Sequence, residues 1–307
     1  TAFKKTMESE LLHTKNLAPS SVKLYLRNLE KLNDDTPLKN LNFLREVAGV
    51  VHKMAKYKDN TKRGYLISIC SVLSLDKSNA KKQKLYDTYF QLMMDMNKRL
   101  KQGEGENVKT ETQSTNWLEW SDIEKKWDEL HTKSNSLKHP LNEQQYDELL
   151  QYVVLSLYVL LPPRRNEFQN MVVVKSLPHP VSSDLNYYDT STQKMIFNKF
   201  KTSKKEGQKV IDIPETLQDV LKTYLKFHPL KKTKGPVTFL VYHDGSPLNK
   251  VNSITRILNK VFGRNIGSSM LRHIYLSNKY SGVQEEQKKD AEMMGHSTQQ
   301  QKDYIKS

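Results

Sequence analysis

A polar stretch about one third of the way along the chain places the strongest constraint on the fold. Residues 101–116 contain two glycines and one apolar residue, Val108, so they have little with which to form a core. The 307 residues are enough for two domains that each bury a core. We therefore predict a multidomain protein, with one domain over residues 1–104, a linker over 105–116 and a second domain over 117–307.

The first domain is predicted to be all-α, because apolar residues recur at helical spacing in four segments. These segments are the stretch after Pro19, Leu41–Met54, Thr61–Leu75 and Leu85–Leu100.

The single cysteine, Cys70, has apolar neighbours and is expected to be packed. One cysteine excludes an internal disulfide framework, and no apolar run approaches the roughly 20 residues that span a bilayer. We expect an intracellular protein, in the cytoplasm or the nucleus, with no membrane partner.

The second domain is predicted to be mixed α+β, with a small antiparallel sheet. Ser121 with Glu124 predicts one capped helix start, and Asn142 with Gln145 predicts another. The latter helix is apolar and should end at Pro162-Pro163. Further elements are predicted from periodicity and turn residues: a strand at Met171–Val174, a hairpin of 194–198 with 208–213, a helix after Pro214, and helices near 250–262, 268–280 and 285–294.

The net charge of +15 is unevenly spread along the chain. Residues 1–110 carry 21 Lys+Arg against 12 Asp+Glu, residues 111–150 carry 4 against 9, and residues 151–307 carry 24 against 13. Two basic blocks joined by an acidic one suit a polyanion held between two domains, although a solvated lysine-rich surface is the alternative. Candidate DNA contacts in the first domain, each of which would also suit plain surface, are Lys62, Arg63, Lys81, Lys82 and Lys84.

Four segments of the second domain carry residues suited to phosphodiester cleavage without a metal. That chemistry needs a nucleophile, positive groups on the non-bridging oxygens and an acid for the leaving oxygen. Arginine suits the second role, because its planar guanidinium group can donate two parallel hydrogen bonds to a phosphate and stays charged. The segments, in chain order, are Pro162-Pro163-Arg164-Arg165-Asn166-Glu167, the lysine-rich hairpin turn with Lys199, Lys201 and Lys204, Ser268-Ser269-Met270-Leu271-Arg272-His273, and Met294-Gly295-His296-Ser297 followed by Tyr304.

Together these segments resemble the tyrosine recombinases, a family of DNA breaking-rejoining enzymes that includes integrases. The resemblance is strong from about residue 160 onward, and Asn16–Tyr25 resembles the start of the family's helical core-binding domain. It implies that Tyr304 is the nucleophile that forms a 3′-phosphotyrosyl bond. It further implies the following roles: Arg164 and Arg272 clamp the phosphate, Glu167 supports them, His296 hydrogen-bonds the phosphate, and Lys201, with Lys199 and Lys204 as alternatives, protonates the leaving 5′ oxygen.

The chain departs from the family pattern at two places. Two prolines stand where the family usually has glycine before the first arginine, and Ser269 stands where it has its first histidine. A serine can hydrogen-bond a phosphate oxygen but cannot hold charge or transfer a proton as imidazole does. His273 is expected to order the local backbone.

The resemblance also implies an architecture and partners. The helical domain and the catalytic domain would form a C-shaped clamp around double-stranded DNA, as a homotetramer on paired sites and as a monomer without DNA. No cofactor is expected, and no carboxylate cluster has the spacing of a metal site. A relaxing enzyme like the type IB topoisomerases and a catalytically weak DNA-binding relative remain alternatives. The usage of Lys and Asn is compatible with the AT-rich genome of a virus or mobile element.

Overall fold

The computed structural model describes residues 1–103 and 109–294. The chain divides into two units, Thr1–Val108 (unit 1) and Lys109–Ser307 (unit 2). The division falls within the polar stretch of the sequence. In the described ranges, no helix is both long enough and apolar enough to cross a membrane.

Unit 1 is helical, which confirms the prediction of its class. It consists of α1 (Ala2–His13), α2 (Pro19–Leu32), a 3₁₀ turn (Asn42–Arg45), α3 (Val47–Met54), α4 (Asp59–Leu73) and α5 (Ala80–Gly103). The apolar segment predicted over Leu41–Met54 is two elements, because the backbone of Glu46 leaves the helical region at φ −82°, ψ 66°. Tyr89 joins them to the core by donating a buried hydrogen bond of 2.8 Å to the carbonyl of Leu44.

Unit 2 is an α+β arrangement. Its helices are α6 (Glu111–Asn116), α7 (Trp120–Ser134), α8 (Glu143–Val159), α9 (Ser203–Glu206), α10 (Glu215–Phe227), α11 (Ser253–Phe262) and α12 (Ser268–Met294), and its strands are β1 (Met171–Val174), β2 (Asn186–Asp189), β3 (Lys194–Phe197), β4 (Lys209–Asp212) and β5 (Val237–Thr238). The short α6 lies at the end of the predicted linker, where Thr110 and Gln113 form a capping box.

The sheet of unit 2 is mixed, so the prediction of an antiparallel sheet was wrong. Within residues 109–294 the strand order is β4-β3-β2-β1-β5, and β1 pairs in parallel with β2. The predicted hairpin is β3 with β4, in which Phe197 pairs with Lys209. Strand β2 was not predicted, because it begins with Asn186 and ends with Asp189, two residue types that are depleted in strands.

Helix α8 is the centre of the core of unit 2. Asn142 and Gln145 form the predicted capping box at its start. From Leu149 to Tyr158 every residue is buried, so the helix is enclosed on all sides. It ends at Val159, three residues before the two prolines.

Two predictions about helix boundaries in unit 2 were wrong. Helix α7 starts at Trp120 with Glu119 before it, and Glu124 accepts a hydrogen bond of 2.9 Å from the indole of Trp120 instead of completing a box with Ser121. The two helices expected near 268–280 and 285–294 are one continuous helix, α12. An exposed glycine inside it, Gly282, costs about 1 kcal/mol relative to alanine, which is too little to end a helix.

Candidate functional site

The first arginine segment follows α8 directly. Because the prolines cannot continue the helix, residues 162–170 form an irregular connection, and Phe168 anchors it in the core. The guanidinium of Arg164 lies over the ring of Phe197, with Cζ 4.0 Å from the ring centroid, and 5.4 Å from that of Phe200. These aromatic rings hold the cation in place and exclude water from one of its faces.

Arg164 is charged, largely buried and short of hydrogen bonds. Its side chain is 20% exposed, and its Nε lies 3.9 Å from Oε2 of Glu167, which is too far for a hydrogen bond. Both atoms are buried without a hydrogen-bond partner. Burial lowers the pKa of Arg164, while the Glu167 carboxylate acts in the opposite direction. Arginine nevertheless stays protonated near neutral pH, so Arg164 is a cation whose buried Nε–H donor has no acceptor.

The hairpin brings Lys201 to the same place. Strands β3 and β4 are joined by residues 198–208, which include α9 and the left-handed Gly207 at φ 68°. Phe200 packs against the core and against Arg164, and Lys201 follows it directly. Of the three lysines that the sequence left open, Lys201 lines the same concave region as Arg164 in the described structure.

The second arginine lies on the second turn of α12. Arg272 is partly buried, and the helix begins where Ser268 donates a hydrogen bond of 2.9 Å to Oδ1 of Asn166. This bond ties the start of α12 to the Arg164 segment. Ser269 and His273, by contrast, are exposed. The buried hydroxyl that contacts the first arginine segment is therefore that of Ser268, which sequence reasoning had not singled out.

Arg164, Lys201 and Arg272 line one concave region, the basic cleft, of about 520 Å³. Its lining residues are Pro163, Arg164, Arg165, Glu167, Phe200, Lys201, Thr202, Glu206, Lys209, Val210, Ile211 and Arg272. Five of these are cationic and two are acidic, and Glu206 lies 3.6 Å from Lys209. The net positive charge suits a bound phosphate group. Arg165 and Lys209 were not predicted as site residues, whereas Lys199 and Lys204 are not among the described lining residues.

A buried tyrosine holds the backbone of the arginine segment that lines the cleft. Tyr158 of α8 donates a hydrogen bond of 2.6 Å to the carbonyl of Arg165. Burial raises the pKa of Tyr158, as does the charge of Glu167, while Ser268 and Arg272 act in the opposite direction. The phenol is therefore neutral and serves as a hydrogen-bond donor that fixes the arginine segment to α8.

Two of the predicted residues, His296 and Tyr304, lie outside the described residues. In the described ranges, no group of three or more His, Cys, Asp and Glu side chains is placed to hold a metal ion. A comparison of the chain with protein-family models, curated proteins and solved structures finds no match.

The five basic residues predicted to contact DNA in unit 1 have varied surroundings. Lys62 lies 3.0 Å from Asp59 on the same helix, Lys82 pairs with Asp76, and Arg63 donates a hydrogen bond to Asn97. The remaining two, Lys81 and Lys84, are exposed at the start of α5. The ion pairs of Lys62 and Lys82 are partly exposed and add little stability, so either lysine could exchange its carboxylate for a phosphate at small cost.

Proposed function

We propose that this protein is a site-specific DNA recombinase or integrase that cleaves and rejoins double-stranded DNA through a 3′-phosphotyrosyl bond to Tyr304. The observation that carries the proposal is the basic cleft. Arg164, Lys201 and Arg272 come from distant segments of the sequence, and the family resemblance implies a role for each in the same reaction. All three line that one cleft.

The proposed reaction uses each group once. The oxygen of Tyr304 attacks the phosphorus while its phenolic proton passes to water, the bond to the 5′ oxygen breaks, and that oxygen takes a proton from Lys201. Arg164 and Arg272, with His296, stabilise the negative charge that develops on the non-bridging oxygens. Rejoining is the reverse step, in which a 5′ hydroxyl attacks the phosphotyrosyl bond.

Binding to the DNA backbone would supply most of the affinity. We expect a homotetramer on paired sites, a C-shaped clamp around each duplex, and action in the cytoplasm or nucleus, wherever the target DNA lies. The lysine- and asparagine-rich composition suits a viral or mobile-element origin, in which integration would be the biological role.

A covalent-trapping experiment tests the proposal. Labelled duplexes of random sequence, nicked so that the released fragment diffuses away, are incubated with the protein and resolved in SDS. The wild type should form a protein–DNA adduct, and Tyr304→Phe should not. An adduct that persists in Tyr304→Phe contradicts the proposed nucleophile, and binding without any adduct indicates a DNA-binding relative.

The trapped sequences then separate recombination from relaxation. A recombinase should select a defined site and exchange strands between two labelled duplexes that carry it. Removal of supercoils from a single plasmid, without strand exchange or sequence selection, would instead indicate an enzyme like the type IB topoisomerases.

A further inference from the structure

Asn186, the first residue of β2, lies between the arginine segment and the hairpin. Its side chain is buried, and the residue is only 5% exposed. Its Oδ1 accepts hydrogen bonds from the backbone N–H groups of Asn198 at 2.9 Å and Lys199 at 2.8 Å. Its Nδ2 donates to the carbonyls of Glu167 at 3.2 Å and Lys199 at 3.0 Å. One amide thus satisfies four backbone groups.

These partners determine which way the amide points. Two N–H groups face Oδ1 and two carbonyls face Nδ2. A flipped amide would place its NH₂ group against the N–H groups and its oxygen against the carbonyls. The bond to Glu167 reaches the segment that carries Arg164. The other three bonds reach the segment that leads, two residues later, to Lys201. Asn186 therefore hydrogen-bonds to both segments, in addition to the packing of Arg164 on Phe197 and Phe200.

We propose that Asn186 is a positioning residue, which sets the place of Lys201 relative to the phosphate held at Arg164. The inference rests on the proposed function, since it concerns the proton that Lys201 gives to the leaving 5′ oxygen. Proton transfer requires the ammonium within hydrogen-bond reach of that oxygen. Lys201 itself is exposed on a connection of eleven residues, 198–208, so its placement depends on how the base of that connection is held.

The informative variant is Asn186→Asp. A carboxylate keeps the shape and can still accept from Asn198 and Lys199. It replaces the amide NH₂ group by an oxygen that faces the carbonyls of Glu167 and Lys199. Repulsion between these oxygens should push the arginine segment and the hairpin apart. Asp189→Asn is the matched control, since Asp189 is equally buried at the other end of β2 and accepts from Ser191 N–H at 2.9 Å, away from the cleft.

The readout is the ratio of adduct-formation rates on two substrates, one with the natural 5′ oxygen and one with sulfur in its place. A thiolate is the better leaving group and needs no acid, so the sulfur substrate bypasses Lys201. We expect Asn186→Asp to lower the rate about ten-fold on oxygen and less than about two-fold on sulfur, because a displaced group loses catalysis without losing binding. The ratio cancels any loss of folded protein, which lowers both rates equally.

The outcomes separate the inference from the proposed function. A lower rate on oxygen alone in Asn186→Asp, with an unchanged ratio in Asp189→Asn, supports the positioning role. An unchanged ratio in Asn186→Asp, while the wild type forms adducts, overturns that role and leaves the proposed function intact. No adduct from the wild type on either substrate overturns the proposed function and, with it, the role of Asn186.

Discussion

Two concave regions at opposite ends of α8 have similar volumes, about 540 Å³ and about 520 Å³, but differ in how their charges are satisfied. At the start of the helix, Asp147 accepts hydrogen bonds from Lys260 at 2.7 Å and Gln151 at 2.6 Å. Past its end, in the basic cleft, Arg164 and Glu167 keep buried atoms without a hydrogen-bond partner. The two regions therefore differ in charge and hardly in size, and the buried charges beside the basic cleft carry a cost because their hydrogen bonds are not made.

The largest expected effect comes from removing the unsatisfied cation. Under the proposed function, Arg164→Ala should slow adduct formation about 100- to 1,000-fold, since it would remove a donor to the developing charge. The matched control is Lys260→Ala, which removes a cation from the other concave region and should leave the rate unchanged. Equal losses of rate in Arg164→Ala and Lys260→Ala would show that the basic cleft has no special role in adduct formation. The measurement is single-turnover trapping in SDS.

The next effect tests the assignment of the acid. Lys201→Ala should slow cleavage about 100-fold on the natural substrate and recover most of the rate on a 5′-sulfur substrate, which needs no acid. Lys199→Ala and Lys204→Ala should each change the natural rate by less than about three-fold, since neither residue would be the acid. If one of these variants regained more of its rate on the 5′-sulfur substrate than Lys201→Ala does, that lysine would be assigned as the acid in place of Lys201.

A smaller effect concerns affinity. Lys209 lines the basic cleft at the start of β4. If it contacts phosphate, Lys209→Ala should weaken binding to all DNA sequences alike and reduce the slope of log K against log salt by about 0.9. Lys260→Ala should leave the slope unchanged. Equilibrium binding to a labelled duplex at several salt concentrations checks both, and equal slopes in all three proteins would exclude Lys209 from the phosphate contacts.

The smallest effect is on stability, and its direction should differ between the two regions. Replacing Arg164 by Met together with Glu167 by Gln removes two poorly satisfied buried charges, so the variant should melt at the same temperature or slightly higher. Lys260→Met breaks a mostly exposed ion pair and should cost less than about 1 kcal/mol. Calorimetric melting of the variants checks these directions. A marked loss of stability in the double variant would show that Arg164 and Glu167 are structural.

The elements that sequence reasoning predicted well are those with a local signature. The capping box of Asn142 and Gln145, the prolines after α8, and the two short strands around the glycine-containing turn of the β3–β4 hairpin are each visible within a few residues. Strand β2 has no such signature. Asn186 and Asp189 are polar residues at its ends. Asn186 is accommodated by a hydrogen bond to the carbonyl of Glu167, which is distant in the chain, whereas Asp189 accepts hydrogen bonds from the nearby Ser191.

The residues of the candidate site also divide into those with a local sequence signature and those without one. Arg164 and Arg272 could be selected because their flanking residues form recognisable motifs. Ser268 could not be preferred over Ser269, since the orientation of the first turn of α12 depends on how the helix packs against the Arg164 segment. Arg165 and Lys209 were missed because a surface cation has no sequence signal until its neighbours in space are known.

By itself, the sequence determined the helical class of unit 1, the mixed class of unit 2 and the chemical types available for phosphodiester cleavage. These follow from periodicity, turn residues and side-chain chemistry, which are local properties. Only the tertiary structure decided that β1 and β2 run in parallel, that Lys201 reaches the cleft, and that Asn186 links the hairpin to the arginine segment. Such decisions depend on hydrogen bonds and packing between residues far apart in the chain, and those cannot be read from the neighbours of any one residue.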